Sequence, residues 1–148
     1  MCISMINNDL NLFLANLNVF YRKLQNYHWN IKGADFFTIH AKLEEYYDDI
    51  NEQIDEVAEH ILMLGGQPLG TLKDYLDTTQ IKEAQNQKVC TETVFNEILK
   101  DLKTLSENAT KIKEEADNEN KYTTSSLMDE YLENYSKKTW MISQMLMK

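Results

Sequence analysis

The chain has only three histidines, at 28, 40 and 60, and the residues spaced around His40 are of the types that hold a cation. His40 is followed four residues later by Glu44, and Asp55 four residues later by Glu59. At about 100° per residue, the four lie within roughly 100° of one another on a helix and form one stripe of imidazole and carboxylate. A rise of about 1.5 Å per residue sets His40 roughly 28 Å from Glu59 and Glu44 roughly 16 Å from Asp55, so one ion cannot reach both pairs in one chain. A two-fold axis removes the difficulty. His40 and Glu59, and likewise Glu44 and Asp55, are equidistant from the point between Asp49 and Ile50. Two copies crossing antiparallel there place His40 and Glu44 of one subunit opposite Glu59 and Asp55 of the other, twice per dimer, as an isologous interface requires. A tight turn at Gly33 would return this helix beside the one before it and bring His28 near His40. Two imidazoles and three carboxylates suit iron, manganese or zinc. The same acidic pairs also fit a solvated helix face with no ion, and the residues alone leave both readings open.

The other motifs near this stripe have blander readings. His60 lies about 200° around the helix from His40, which suits a surface or hydrogen-bonded histidine. Trp29 reads as a core or interface aromatic. Gln25, Phe37 and Val57 stand three residues before the histidines, so the Glu-x-x-His pairs of a di-iron site inside one bundle are absent.

Four helical stripes must position these groups. Apolar or aromatic residues at 10, 13, 14, 17, 20, 21, 24, 27, 28 and 31 predict a first helix over about 8 to 32, with Gly33 as its stop and Asp35 as a cap for the next. Positions 43, 47, 50, 54, 57, 61 and 64 predict the second, ending at Gly65-Gly66. Residues 65 to 88 hold the only proline and three of the four glycines, with a short amphipathic turn around Leu72 to Leu76, and read as one long connection. The third stripe runs from 94 to 116 and the fourth from 127 to 146, separated by "DNENKYTTSS", which offers Thr and Ser caps. The Met-rich end "WMISQMLMK" reads as core packing. Short, long and short connections predict an all-α fold: a ferritin-like four-helix bundle with a long crossover that carries a short helix.

At 148 residues the chain is expected to form a single domain, 1–148. A net charge of −9 argues against broad phosphate binding and favours cations. Cys2 and Cys90 fit reduced thiols in a cytoplasmic protein rather than a disulfide framework. The start "MCISMINNDLNLF" has no basic region leading into an apolar run, and no stretch is apolar for the roughly eighteen residues of a membrane span, so neither export nor membrane insertion is expected.

Three stretches, "ANLNVFYRKL" at 15 to 24, "NYHWNIKGADFFTIHAKLEE" at 26 to 45 and "IDEVAEHILMLGGQPLGTLKDYL" at 54 to 76, resemble the Dps family, the mini-ferritins. They cover about half the chain, and His-Trp-x-x-x-Gly, a second His twelve residues on and Asp-Glu-x-Ala-Glu make a specific combination. The resemblance implies a hollow dodecamer with two-fold interfaces formed by the second helix. It implies oxidation of Fe(II), typically with hydrogen peroxide, at sites between subunits, storage of the ferric product and protection against oxidative stress. Its iron ligands map onto His28, His40 and Glu44 of one subunit and Asp55 and Glu59 of the next, with room for two irons per site. It suggests Trp29 as an electron donor. Glu45, Asp48 and Glu52 fit a mineral-nucleating patch or a solvated acidic face, and Asp117 and Glu119 fit the lining of a cation pore. Glu44 departs from the usual aspartate, and Gln25 and Lys138 stand where histidines are common in the family. DNA binding in the family uses a lysine-rich tail, whereas no Lys or Arg precedes Arg22 here, so duplex binding is not expected. The alternative is a non-enzymatic shell with an impaired site that acts by sequestration.

Overall fold

A computed structural model describes residues 5–148, and Cys2 lies outside them. The elements are α1 (Met5–Asn30), β1 (Ile31–Lys32), α2 (Phe36–Met63), α3 (Leu72–Thr78), β2 (Val89–Cys90), α4 (Thr91–Asn118) and α5 (Tyr122–Leu146). The apolar stripes become the core. Leu10, Phe13, Leu14, Leu17, Phe20 and Leu24 of α1 are buried against Leu43, Ile50, Val57 and Ile61 of α2 and a run from Val94 to Ala116 on α4. The short connections fold α1 with α2 and α4 with α5 as antiparallel hairpins, and α1 also packs on α4. Between α1 and α4, the buried ammonium of Lys23 sits 2.9 Å from Asp101 Oδ2 and 3.4 Å from Glu97 Oε2, so the charge is paired where it leaves water.

Several local expectations are corrected. The first helix stops at Asn30, and buried Ile31 belongs to a parallel two-residue pairing, Ile31 with Val89 and Lys32 with Cys90. This pairing ties the end of α1 to the start of α4. Gly33 turns the chain with φ of 136°, a value that L side chains rarely adopt, and a Cβ there would stand 3.3 Å from Asp35 Oδ1. Asp35 precedes α2 without capping it, because its carboxylate accepts instead from Thr91 Oγ1 at 3.1 and 3.2 Å. At the far end of α2, Gly65 takes φ of 83° while Gly65 N and Gly66 N donate to Leu62 O and Ile61 O. The offered Thr and Ser do not cap α5: Lys121 is the cap residue, and Thr124 and Ser125 are buried within the first turns, where their hydroxyls bond other elements. The methionine end is not core. Met141, Met145 and Met147 are exposed, and Ile142 is the buried side chain of the last turns, so tyrosines 131 and 135 carry the α5 contribution instead.

The crossover, 65 to 88, holds the expected short helix. Thr71 Oγ1 accepts from Asp74 N to cap α3, yet α3 buries no residue, and Leu72 and Leu76 remain 79 % and 51 % exposed. The connection is fastened by Asn16, which is fully buried on α1. Its Nδ2 donates to Asn108 Oδ1 and Gln80 Oε1, and its Oδ1 accepts from Thr79 Oγ1 and Gln80 N. All its polar atoms are thereby satisfied in the core. No helix among the described residues is long and apolar enough to cross a membrane.

Candidate metal centre

The α1–α2 corner brings two sequence-predicted ligands together. His28 Nδ1 donates to His40 O at 2.7 Å, and His40 Nδ1 donates to His28 O at 2.7 Å. The rings stack with centroids 3.6 Å apart and planes 13° from parallel. A carbonyl oxygen only accepts, so each Nδ1 carries a hydrogen, and in the neutral tautomer that this selects, the lone pair lies on Nε2. Metal-binding imidazoles are commonly oriented in this way, through a hydrogen bond from the nitrogen that is not coordinated. Aromatic rings close the corner: Phe36 stacks on His40 at 4.9 Å, Tyr47 meets His28 edge-on at 5.3 Å, and Tyr21 meets Tyr47 edge-on at 5.8 Å. His28 is 7 % exposed, a buried imidazole held at a surface corner.

The carboxylates lie along the outer face of α2. Glu44 is exposed and accepts from Tyr47 Oη at 3.2 Å. Burial, and then the Glu44 carboxylate, push the Tyr47 phenol above its usual range. Asp55 and Glu59 are also exposed, and among the described residues no cationic side chain pairs with either. Within one chain, no group of three His, Cys, Asp or Glu forms a metal-sized cluster among the described residues. The subunit alone thus presents two partial donor sets on one face. At the centre of that face stand Asp48 and Asn51, both exposed, whereas Ile50 points into the core and Asp49 is engaged by α5.

The remaining singled-out residues separate clearly. His60 is buried, shares a 2.7 Å hydrogen bond with Thr124 Oγ1 through Nε2, and has its pKa lowered by burial, so it is a satisfied core histidine. Trp29 is 56 % exposed, which removes the core reading within the subunit. Glu45 pairs with Lys42 at 2.7 Å, while Asp48 and Glu52 stay exposed. Asp117 receives Ser125 Oγ and lies 3.7 Å from Lys113 Nζ; Glu119 is exposed. Lys138 is tied to Asp49 Oδ2 at 2.5 Å and Asn134 Oδ1 at 2.6 Å and lies over the Tyr46 ring, so it braces α5 against α2 rather than facing the histidines. Gln25 Nε2 donates to Tyr21 Oη. The residue that sequence reasoning missed is Tyr47. Its position three residues after Glu44 and seven after His40 was the available signal, since those spacings share a helix face.

A model of the ferritin-like domain matches residues 7–148. General stress protein 20U of Bacillus subtilis is 36 % identical over 137 residues, covering 93 % of this chain and 94 % of that one. The DNA protection during starvation protein of Helicobacter pylori is 34 % identical over 128 residues, covering 86 % and 89 %. Among solved structures, the Dps protein of Vibrio cholerae, described as a member of a broad superfamily of ferritin-like diiron-carboxylate proteins, superposes with a TM-score of 0.93 at 37 % identity over 96 % of this chain and 89 % of that one.

Proposed function

The chain belongs to the Dps family of ferritin-like proteins, and from that premise we propose that it oxidises Fe(II) with hydrogen peroxide at sites shared by two-fold-related subunits and stores the ferric product inside a twelve-subunit shell. The carrying observation is the reciprocal histidine lock, which leaves two Nε2 lone pairs at one end of an α2 face whose other end presents the unpaired Asp55 and Glu59. Protection from oxidative damage is the physiological role this chemistry supports, in line with relatives named for stress and for DNA protection during starvation.

In this reading, Fe(II) is the substrate. Antiparallel crossing of two α2 helices sets His28, His40 and Glu44 opposite the partner subunit's Asp55 and Glu59. The same crossing faces Asp48 with the partner subunit's Asn51, so an amide donor meets a carboxylate at the centre rather than two like charges meeting. Three carboxylates favour Fe(III) over Fe(II), because the attraction grows with the charge of the ion. Each two-electron reduction of peroxide draws on two Fe(II). The histidines contribute by fixed direction: with Nδ1 held by a carbonyl, neither ring has to rotate to present Nε2. An overall charge of −9 draws cations toward the shell and leaves duplex DNA outside the proposal.

Fe(II) oxidation followed optically after peroxide addition tests this, with wild type set against the double variant His28→Ala, Asp55→Ala. Loss of rapid oxidation in the variant is expected. Equal rates would defeat the proposal.

A further inference from the structure

We propose that Tyr47 is a redox-active residue of this centre and supplies one electron when peroxide meets a site that holds a single Fe(II). The inference rests on the iron-oxidation reading above and adds to it a side chain that is not a ligand.

The contacts of Tyr47 carry it. Its phenol donates to Glu44 Oε1 at 3.2 Å, and its ring meets His28 edge-on with centroids 5.3 Å apart. Tyr47 therefore touches two of the five proposed ligands, one through a hydrogen bond able to take its proton and the other through ring contact. Behind it stands Tyr21, with centroids 5.8 Å apart and planes at 87°, and that phenol oxygen accepts from Gln25 Nε2 at 3.1 Å. The Tyr47 ring is thus half-buried between the ligands and a second aromatic ring. Trp29 follows His28 in sequence, but it is 56 % exposed and joins none of the ring pairs among the described residues. Sequence adjacency to the ligand does not give it the contact that Tyr47 has.

The chemistry requires such a donor whenever the site is half filled. Reduction of hydrogen peroxide to two waters takes two electrons and two protons and breaks the O–O bond. Two Fe(II) supply both electrons, whereas one Fe(II) supplies only one and would release a hydroxyl radical. With Tyr47 as donor, one Fe(II), one tyrosine, one peroxide and one solvent proton give one Fe(III), one tyrosyl radical and two waters. The phenolic proton leaves along the bond to Glu44 and the second proton comes from solvent, so atoms and charge balance.

The assembled protein, loaded without oxygen with less than one Fe(II) per site, is mixed with excess peroxide and frozen for electron paramagnetic resonance. Wild type, Tyr47→Phe, Trp29→Phe and the His28→Ala, Asp55→Ala double variant are compared. Phenylalanine keeps the ring and removes the transferable proton; the visible bands of added Co(II) report whether the ligands still assemble. Wild type and Trp29→Phe are expected to show a tyrosyl signal. Tyr47→Phe is expected to lose it, to release more spin-trapped hydroxyl radical and to keep the Co(II) bands. A tyrosyl signal undiminished in Tyr47→Phe, a tryptophanyl signal in its place, no protein radical in wild type, or loss of the Co(II) bands in Tyr47→Phe would each overturn the assignment. Failure of the underlying reading is distinct: wild type would then oxidise Fe(II) no faster than the double variant, and the proposal would fall with it.

Discussion

The two ends of α2 use histidine in opposite ways. At the start, His28 and His40 direct both Nδ1 atoms into backbone carbonyls, and neither Nε2 is used within the corner. At the end, His60 places Nε2 on Thr124 Oγ1 inside the core, 5 % exposed. Carboxylates follow the same division. Asp55 and Glu59 on the outer face face water, whereas where the start of α1 meets the end of α4, Asp9 Oδ2 and Glu115 Oε2 are buried with no donor for either. Burial and the neighbouring Asp9 push Glu115 up to about 7. Residue type therefore does not mark a site here. A polar atom held in place with its reactive edge unsatisfied at the surface suits a ligand; one satisfied or protonated in the interior holds the fold together.

Substituting the corner should cost function first, and substituting the far end should cost only stability. The largest effect is expected for Gly33→Ala, whose backbone φ of 136° disfavours any side chain and whose Cβ would press on Asp35. Displacing the histidine lock should slow iron oxidation by roughly 10- to 100-fold, the range for disturbing groups that orient metal ligands. Stopped-flow oxidation rates check it, and a full wild-type rate would show that the lock is dispensable. Thr124→Val should leave the rate unchanged while lowering stability by about 1–3 kcal/mol, because His60 loses its partner in the core. Thermal or urea denaturation measures that loss.

The smallest effect is in the pH dependence of stability. His60 has a lowered pKa, so below about pH 6.5 the unfolded chain takes up a proton that the folded one refuses, and stability is lost as pH falls. Glu115 has a raised pKa, so the folded chain keeps a proton that the unfolded one releases, and stability is lost as pH rises through about 7. The two windows overlap between about pH 4.5 and 6.5, where the slopes oppose each other, so the urea midpoint of Glu115→Gln should fall more steeply toward acid than that of wild type. A pH slope unaltered in that variant would contradict the raised Glu115 pKa.

Much of this frame was legible in the sequence because core burial imposes a period. Leu43, Ile50, Val57 and Ile61 announce the buried face of α2, and three of the four glycines lie where the long connection runs. The closeness of His28 to His40 followed from Gly33. The parts that were not legible depend on what lies across space. Two-residue strands leave no pattern, so β1 falls at the predicted end of the first helix and β2 in the unassigned stretch before the third stripe. Asp35 had the right type for a cap, but Thr91 takes its carboxylate. Met145 keeps helical spacing with Ile142 yet stays exposed in the subunit. Helical spacing puts Tyr47 beside His40 and Glu44, but only the folded side chains reveal the bond to Glu44.

The shared site is tested most directly by subunit complementation. One variant carries His28→Ala and His40→Ala, and the other carries Asp55→Ala and Glu59→Ala. Each assembled alone should oxidise Fe(II) no faster than the ligand-free background. Mixed in equal amounts, unfolded and reassembled, half the two-fold pairs contain one of each, and every such pair holds one intact site. About a quarter of the wild-type rate should return, as two-fold symmetry requires. A mixture as inactive as its parents, with shells of normal size, would contradict a site built across the two-fold axis.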